Sequence, residues 1–81
     1  MFIKFTRGSR KHRIGRAHAK YVLETAEPTV IPATASADER IVWIGPDDRG
    51  VELEIVALAL PECWLVIHVM PTQYRTGGRN E

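Results

Sequence analysis

Apolar and polar positions divide the chain into a helical first third and a strand-rich remainder. From Arg16 to about Ala26, apolar residues recur at the spacing of one helix face. Glu27-Pro28 ends this segment, because the residue before a proline disfavours the helical backbone. Upstream, Ser9 is a good helix cap and predicts a helical turn through Arg13. The sequence therefore predicts one or two N-terminal helices.

Strand-like patterns with glycine and proline punctuation follow the helical segment. Three are well bounded, at Arg40–Ile44, Val51–Leu60 and Cys63–Met70, whereas Phe2–Phe5 alternates only weakly and Thr29–Ile31 is short. The turns between these three strands are short, at residues 45–50 and 61–62, and short turns pair consecutive strands as antiparallel hairpins. The prediction is an α+β fold: a small single domain over residues 1–81, with a three- to four-stranded antiparallel sheet and the helices on one face. Residues 72–81 are expected to form a partly mobile tail.

Strand parity predicts which side chains face the helix. In Val51–Leu60, Leu53, Ile55 and Ala57 share one face. If Pro61-Glu62 is a two-residue turn, Ile55 lies opposite His68 and Ala57 opposite Val66, and His68 then shares the face that the helix covers. A one-residue bulge would reverse the side on which His68 lies.

Charge is strongly segregated along the chain, although the net charge is only +1. Residues 1–20 contain seven Lys or Arg and no acid, and residues 21–70 contain nine acids against two Arg. Such blocks create local potential even when the total charge is small. The basic block is therefore expected to bind a polyanion, unless it rests on the acidic sheet and is neutralised internally.

Composition narrows the class of protein further. The single cysteine, Cys63, excludes an intrachain disulfide and a two-cysteine metal knuckle, and such a small chain suits the reducing cytoplasm. The first residues lack the apolar core of a signal peptide, and the richest apolar stretch is interrupted by Pro61-Glu62. The sequence predicts a cytoplasmic protein without a membrane partner, metal or cofactor.

Histidine is the natural candidate for acid–base chemistry. His12 lies within Arg10-Lys11-His12-Arg13, where neighbouring cations favour the neutral imidazole that serves as a general base near phosphate. The alternative is a solvated histidine. His18 is expected to pack or face solvent, and His68 to be a satisfied histidine of the core or rim, held in reserve as an acid or base.

The order of these motifs resembles a known family. A Lys-His-x-Ile step (Lys11 to Ile14) precedes the helix, Asp48-Arg49-Gly50 follows a strand, and the last strand ends in Ile67-His68-Val69-Met70. This layout is similar to the BrnT-type toxins of the RelE superfamily and to related small domains of unknown function. The family step is typically Lys-His-Gly-Ile/Val, so Arg13 stands where glycine is usual.

The resemblance implies the bacterial toxin of a type II toxin–antitoxin system, a metal-independent mRNA endoribonuclease that acts on free or ribosome-associated RNA and is restrained by an antitoxin. Lys11 and His12 match the family step, and Arg75 loosely matches its C-terminal basic region. The candidate catalytic residues are His12, Lys11, His68 and Arg75, and the candidate RNA-binding residues are Arg10, Arg13, Arg16, Arg40 and Tyr74.

Two other interpretations remain open. The chain could be a non-catalytic module that binds nucleic acid or an acidic protein through residues 7–20, or an interaction protein whose sheet edge recruits a partner strand. The sequence does not specify an oligomeric state.

Overall fold

The computed structural model describes residues 2–74. Its elements are β1 (Ile3–Phe5), a 3-10 helix (Gly8–Arg10), α1 (Arg16–Thr25), β2 (Thr29–Ile31), β3 (Arg40–Pro46), β4 (Glu52–Ala59) and β5 (Trp64–Pro71). The predicted helix and the three well-bounded strands agree with α1, β3, β4 and β5 to within two residues at each end. The predicted tail falls mostly on residues 75–81, outside the described residues.

The described strands form one mixed sheet in the order β1-β5-β4-β3-β2. β2 to β5 form an antiparallel meander, whereas β1 pairs in parallel with β5 through Ile3↔Trp64 and Phe5↔Val66. The α+β class is confirmed, but the predicted strand number and the purely antiparallel sheet are wrong. The reason is that the two short segments both pair at the sheet edges, and three residues carry no pattern that identifies their partner.

The core lies between α1 and one face of the sheet. Ala19 and Val22 of α1 are buried with Trp43, Leu53 and Ile55 of the central strands. The Trp43 ring packs on that of Trp64, with 5.3 Å between centroids. The strand parity of β4 is confirmed, because its odd-numbered residues face α1 from 53 to 57. The opposite side, here called the open face, carries the even-numbered residues of β3 and β4.

A bulge in β5 changes the side on which His68 lies. Ala57 lies opposite Val66 as predicted, but Val56 lies opposite His68, so that Ile67 is the extra residue. The predicted pairing of Ile55 with His68 is wrong, and Val69 takes that position. His68 therefore belongs to the open face, which is the reversal that a one-residue bulge produces.

A buried carboxylate closes the turn between β3 and β4. Asp47 Oδ1 accepts hydrogen bonds from the backbone N–H groups of Arg49 and Val51, at 2.8 and 3.0 Å, and Oδ2 accepts two from the Arg49 guanidinium. Burial alone would raise the pKa of Asp47, but these hydrogen bonds and the Arg49 charge outweigh it, and the pKa is lowered.

Replacing Asp47 with Asn should destabilise the protein and change its response to acid. Loss of the charged acceptor should lower the free energy of unfolding at pH 7 by about 1–3 kcal/mol. Because folding lowers this pKa, the stabilisation is complete above the unfolded value of about 4 and is lost as pH falls below it. The gap between wild type and Asp47→Asn in urea unfolding should therefore shrink from pH 7 to pH 3. Asp38→Asn, in an exposed loop, is the control, and an equal gap at both pH values would contradict this account.

Candidate nucleic-acid interface

Every cation of the first twenty residues lies on the molecular surface. We call these exposed side chains the basic surface: Lys4, Arg7, Arg10, Lys11, Arg13, Arg16 and Lys20. Among the ion pairs of the described residues, all within 4.0 Å, none includes a member of this set. The alternative prediction is that the acidic sheet neutralises the basic block. Within residues 2–74, no ion pair joins the two. The charges remain available to an external polyanion.

A groove at the edge of the sheet gathers three of these cations. β1 lies beside α1, and the space between them, about 560 Å³, is lined by Phe2, Ile3, Lys4, Phe5, Arg16 and Lys20. We call this the edge groove. Arg16 and Lys20 are one helical turn apart, so that they share a face of α1. Lys4, Arg16 and Lys20 therefore line one groove.

Two phenylalanine rings lie among the cations of the edge groove. The Arg16 guanidinium carbon is 5.7 Å from the Phe5 ring centroid, and Lys4 Nζ is 5.8 Å from that of Phe2. Phe2 is 61% exposed, so its ring can accept a stacked base. Phe2 and Phe5 belong to the first twenty residues, and the position of β1 at the sheet edge beside α1 brings their rings together with Arg16 and Lys20 of the helix.

The segment between the 3-10 helix and α1 carries the candidate acid–base residue. His12 is half-buried, and its ring makes an edge contact with Tyr74, with centroids 5.5 Å apart and planes at 65°. Lys11 is exposed beside it, and Arg13 adopts a left-handed backbone with φ of 60°. The fold thus joins two predicted site residues that are distant in sequence, and the exposed cations Lys11 and Arg13 flank His12 along the chain.

Other predicted site residues lie elsewhere. His68 Nε2 is on the open face, 3.8 Å from Glu54 Oε1. Arg40 lies on the same face, between its cross-strand neighbours Ile31 and Leu58. Neither residue lines the edge groove. Arg40 is on β3, which is not next to β1, and His68 lies beyond the β5 residues that pair with β1. Arg75 lies outside the described residues.

One group of the described residues has donor atoms spaced for a cation. The ligand atoms of His18, Asp47 and Asp48 lie within 4.8 Å of one another. His18 Nδ1 contacts Asp48 Oδ1 at 2.5 Å, which joins the start of α1 to the turn after β3. Both oxygens of Asp47 are already engaged by Arg49 and Val51. The group is explained by its internal hydrogen bonds, and nothing in it requires a metal.

Comparison of the chain with protein-family models, with curated proteins and with solved structures finds no match. None of the helices in the described part of the chain combines the length and the apolar character needed to cross a membrane.

The contact between His12 and Tyr74 can be tested by NMR. An edge-on aromatic neighbour shifts the ring proton resonances of His12, so Tyr74→Leu should move them towards their values in an unstructured peptide. The ring resonances of His18 and His68 are internal controls and should stay in place. A His12 spectrum unchanged by the substitution would show that the two rings do not meet in solution.

Proposed function

We propose that the protein binds single-stranded RNA through the edge groove and the adjoining basic surface. The observation that carries this proposal is the combination of seven exposed cations, unpaired with any described carboxylate, with an exposed aromatic ring in a groove. Cations that track a backbone, combined with a ring for stacking, are the usual components of single-strand binding.

The dimensions of the edge groove suit a nucleotide. Its volume of about 560 Å³ lies within the common range of ligand pockets. Phosphates would meet Lys4, Arg16 and Lys20, and a base would stack on Phe2. A duplex would bury its bases away from that ring, so stacking favours the single strand.

Removing the groove cations should change the salt dependence of binding. In the triple variant Lys4→Ala/Arg16→Ala/Lys20→Ala, each lost phosphate contact should reduce the slope of log affinity against log salt by roughly 0.7, or about 2 in total. Fluorescence anisotropy with a short labelled RNA over a salt series measures this slope.

Two matched variants separate charge from stacking and position. Phe2→Ala should weaken binding by about 1–3 kcal/mol for one stacked base and leave the slope unchanged. Arg40→Ala removes a cation from the open face and should leave both affinity and slope near wild type. A slope that responds equally to Arg40→Ala and to the triple variant would mean that general charge, not the groove, binds RNA.

We further propose that the RNA is a substrate and that the protein is the metal-independent ribonuclease toxin of a bacterial toxin–antitoxin pair, with a RelE-like fold of the BrnT type. The contact between His12 and Tyr74 within the basic surface supports this second step. So does the backbone of Arg13, which is left-handed at the position where the family step has glycine. In this proposal the protein acts in the cytoplasm, on free or ribosome-associated mRNA, and an antitoxin covers it.

The proposed chemistry uses the RNA's own nucleophile. His12 takes the proton of a 2′-hydroxyl, the resulting oxygen attacks the adjacent phosphorus, and the 5′-oxygen leaves with a proton from an acid group. Lys11 and Arg13, with Arg75 from outside the described residues, would stabilise the negative charge that develops on the phosphate. Tyr74 orients the imidazole by packing on its edge.

Cleavage of RNA in the presence of EDTA tests this mechanism. His12→Ala should lower the cleavage rate by about 10²–10⁴ because it removes an acid–base group. His68→Ala, a histidine of the open face, should cleave like wild type, and circular dichroism should confirm that both variants fold. Wild-type activity that depends on added metal would exclude the mechanism. If RNA binding is intact but no cleavage occurs even with ribosomes present, the protein binds RNA without cleaving it.

A further inference from the structure

The open face presents a contiguous apolar surface. Cross-strand neighbours place five half-buried aliphatic side chains at its centre, namely Val42, Val56, Leu58, Leu65 and Met70, with Ile44 46% exposed beside them. Within residues 2–74, α1 and the 3-10 helix pack elsewhere, on the other face and beside β5. Large uncovered apolar patches are uncommon on monomers and mark interaction surfaces.

Charges flank this patch with opposite signs at its two ends. Across the sheet, Arg40 of β3 and Lys4 of β1 lie in one row with Leu58 and Leu65 between them. Glu54 lies four residues along β4 from Leu58, about 13 Å away, and Glu52 lies beyond it. His68 lies next to Glu54. Glu62 lines the same small pocket as Lys4 and Leu65, so an acid lies near Lys4 and Arg40 is the main cation of its end. The Arg40 end of the open face is therefore the cationic end, and the other end is carboxylate-rich.

Arg40 is half-buried at one end of this patch, and its Nε is already inaccessible and has no hydrogen-bond partner among the described residues. A second molecule over the open face would therefore interact with the charge of this guanidinium and not through a hydrogen bond from Nε.

We propose that the open face packs against the open face of a second copy of this chain. The two-fold axis lies in the plane of the interface and runs across the strands. This rotation reverses the strand direction, so that Arg40 of each copy lies over the Glu54 end of the other. An axis along the strands would instead set cationic end against cationic end, which like-charge repulsion disfavours.

The available area is sufficient for a weak dimer. A five-stranded face of this strand length covers roughly 500 Å² per copy at ordinary strand spacing. The total of about 1,000 Å² is near the lower limit for a specific interface. The α1 side of the edge groove, with Arg16 and Lys20, lies on the far side of the sheet and stays accessible to RNA, whereas Lys4 on β1 borders both surfaces.

Charge reversal tests both the interface and its orientation. Sedimentation equilibrium of the full chain over a concentration series should show a monomer–dimer equilibrium. Arg40→Glu and Glu54→Arg each bring like charges together across the interface, and each should raise the dissociation constant at least about tenfold. The double variant Arg40→Glu/Glu54→Arg restores opposite charges and should recover dimerisation.

Two further variants define the contradicting outcomes. Val56→Asp places a charge at the centre of the patch and should give a monomer that circular dichroism shows to be folded, whereas Glu24→Arg on α1 should dimerise like wild type. A wild-type monomer at all concentrations overturns the proposal, and so does a dimer that all the substitutions on the open face leave unchanged. If only the chain ending at Tyr74 dimerises, residues 75–81 are the occupant of the face and a second copy is not. Failure of the double variant to recover overturns the orientation.

Discussion

The parallel pairing of β1 with β5 is the contact on which the rest of the arrangement depends. Trp64 N–H donates to the Phe2 carbonyl at 2.9 Å, and Thr6 donates to the Val66 carbonyl through both its N–H and its hydroxyl. β1 occupies the edge next to β5, whereas β2 occupies the opposite edge of the sheet. The chain must therefore leave β1, cross one sheet face as α1 and enter the opposite edge as β2. The 3-10 helix packs against β5, so that the basic residues of the first twenty lie near this edge of the sheet.

Local patterns were enough to predict the elements but not all of their partners. The spacing in α1 and the glycine and proline punctuation of β3 to β5 are signals within single segments, and short turns determine the antiparallel meander. The partner of β1 and the bulge at Ile67 depend on distant contacts. A bulge depends on how two strands fit over a core, so that one added residue changes the face of His68 without any change in composition.

The candidate site was predictable in its charge and not in its geometry. The sequence alone shows a run of cations without acids, and it shows His12 and Tyr74 as separate candidate residues. Their contact requires β5 to return beside the 3-10 helix, and the role of Phe2 requires β1 to lie beside α1. Charge alone groups Arg40 with the basic residues, whereas its strand position places it on the face away from α1 and in β3, which is not next to β1.

The left-handed backbone of Arg13 imposes a conformational cost on the loop between the 3-10 helix and α1. A residue with a β-carbon pays roughly 1–2 kcal/mol in this conformation that glycine avoids. A chain selected for stability alone would favour glycine at this position, where a turn of this shape forms most easily. The exposed arginine keeps a positive charge next to His12 at the expense of conformational stability. At this position a backbone conformation that glycine adopts most easily is combined with an exposed positive charge that only a longer side chain supplies.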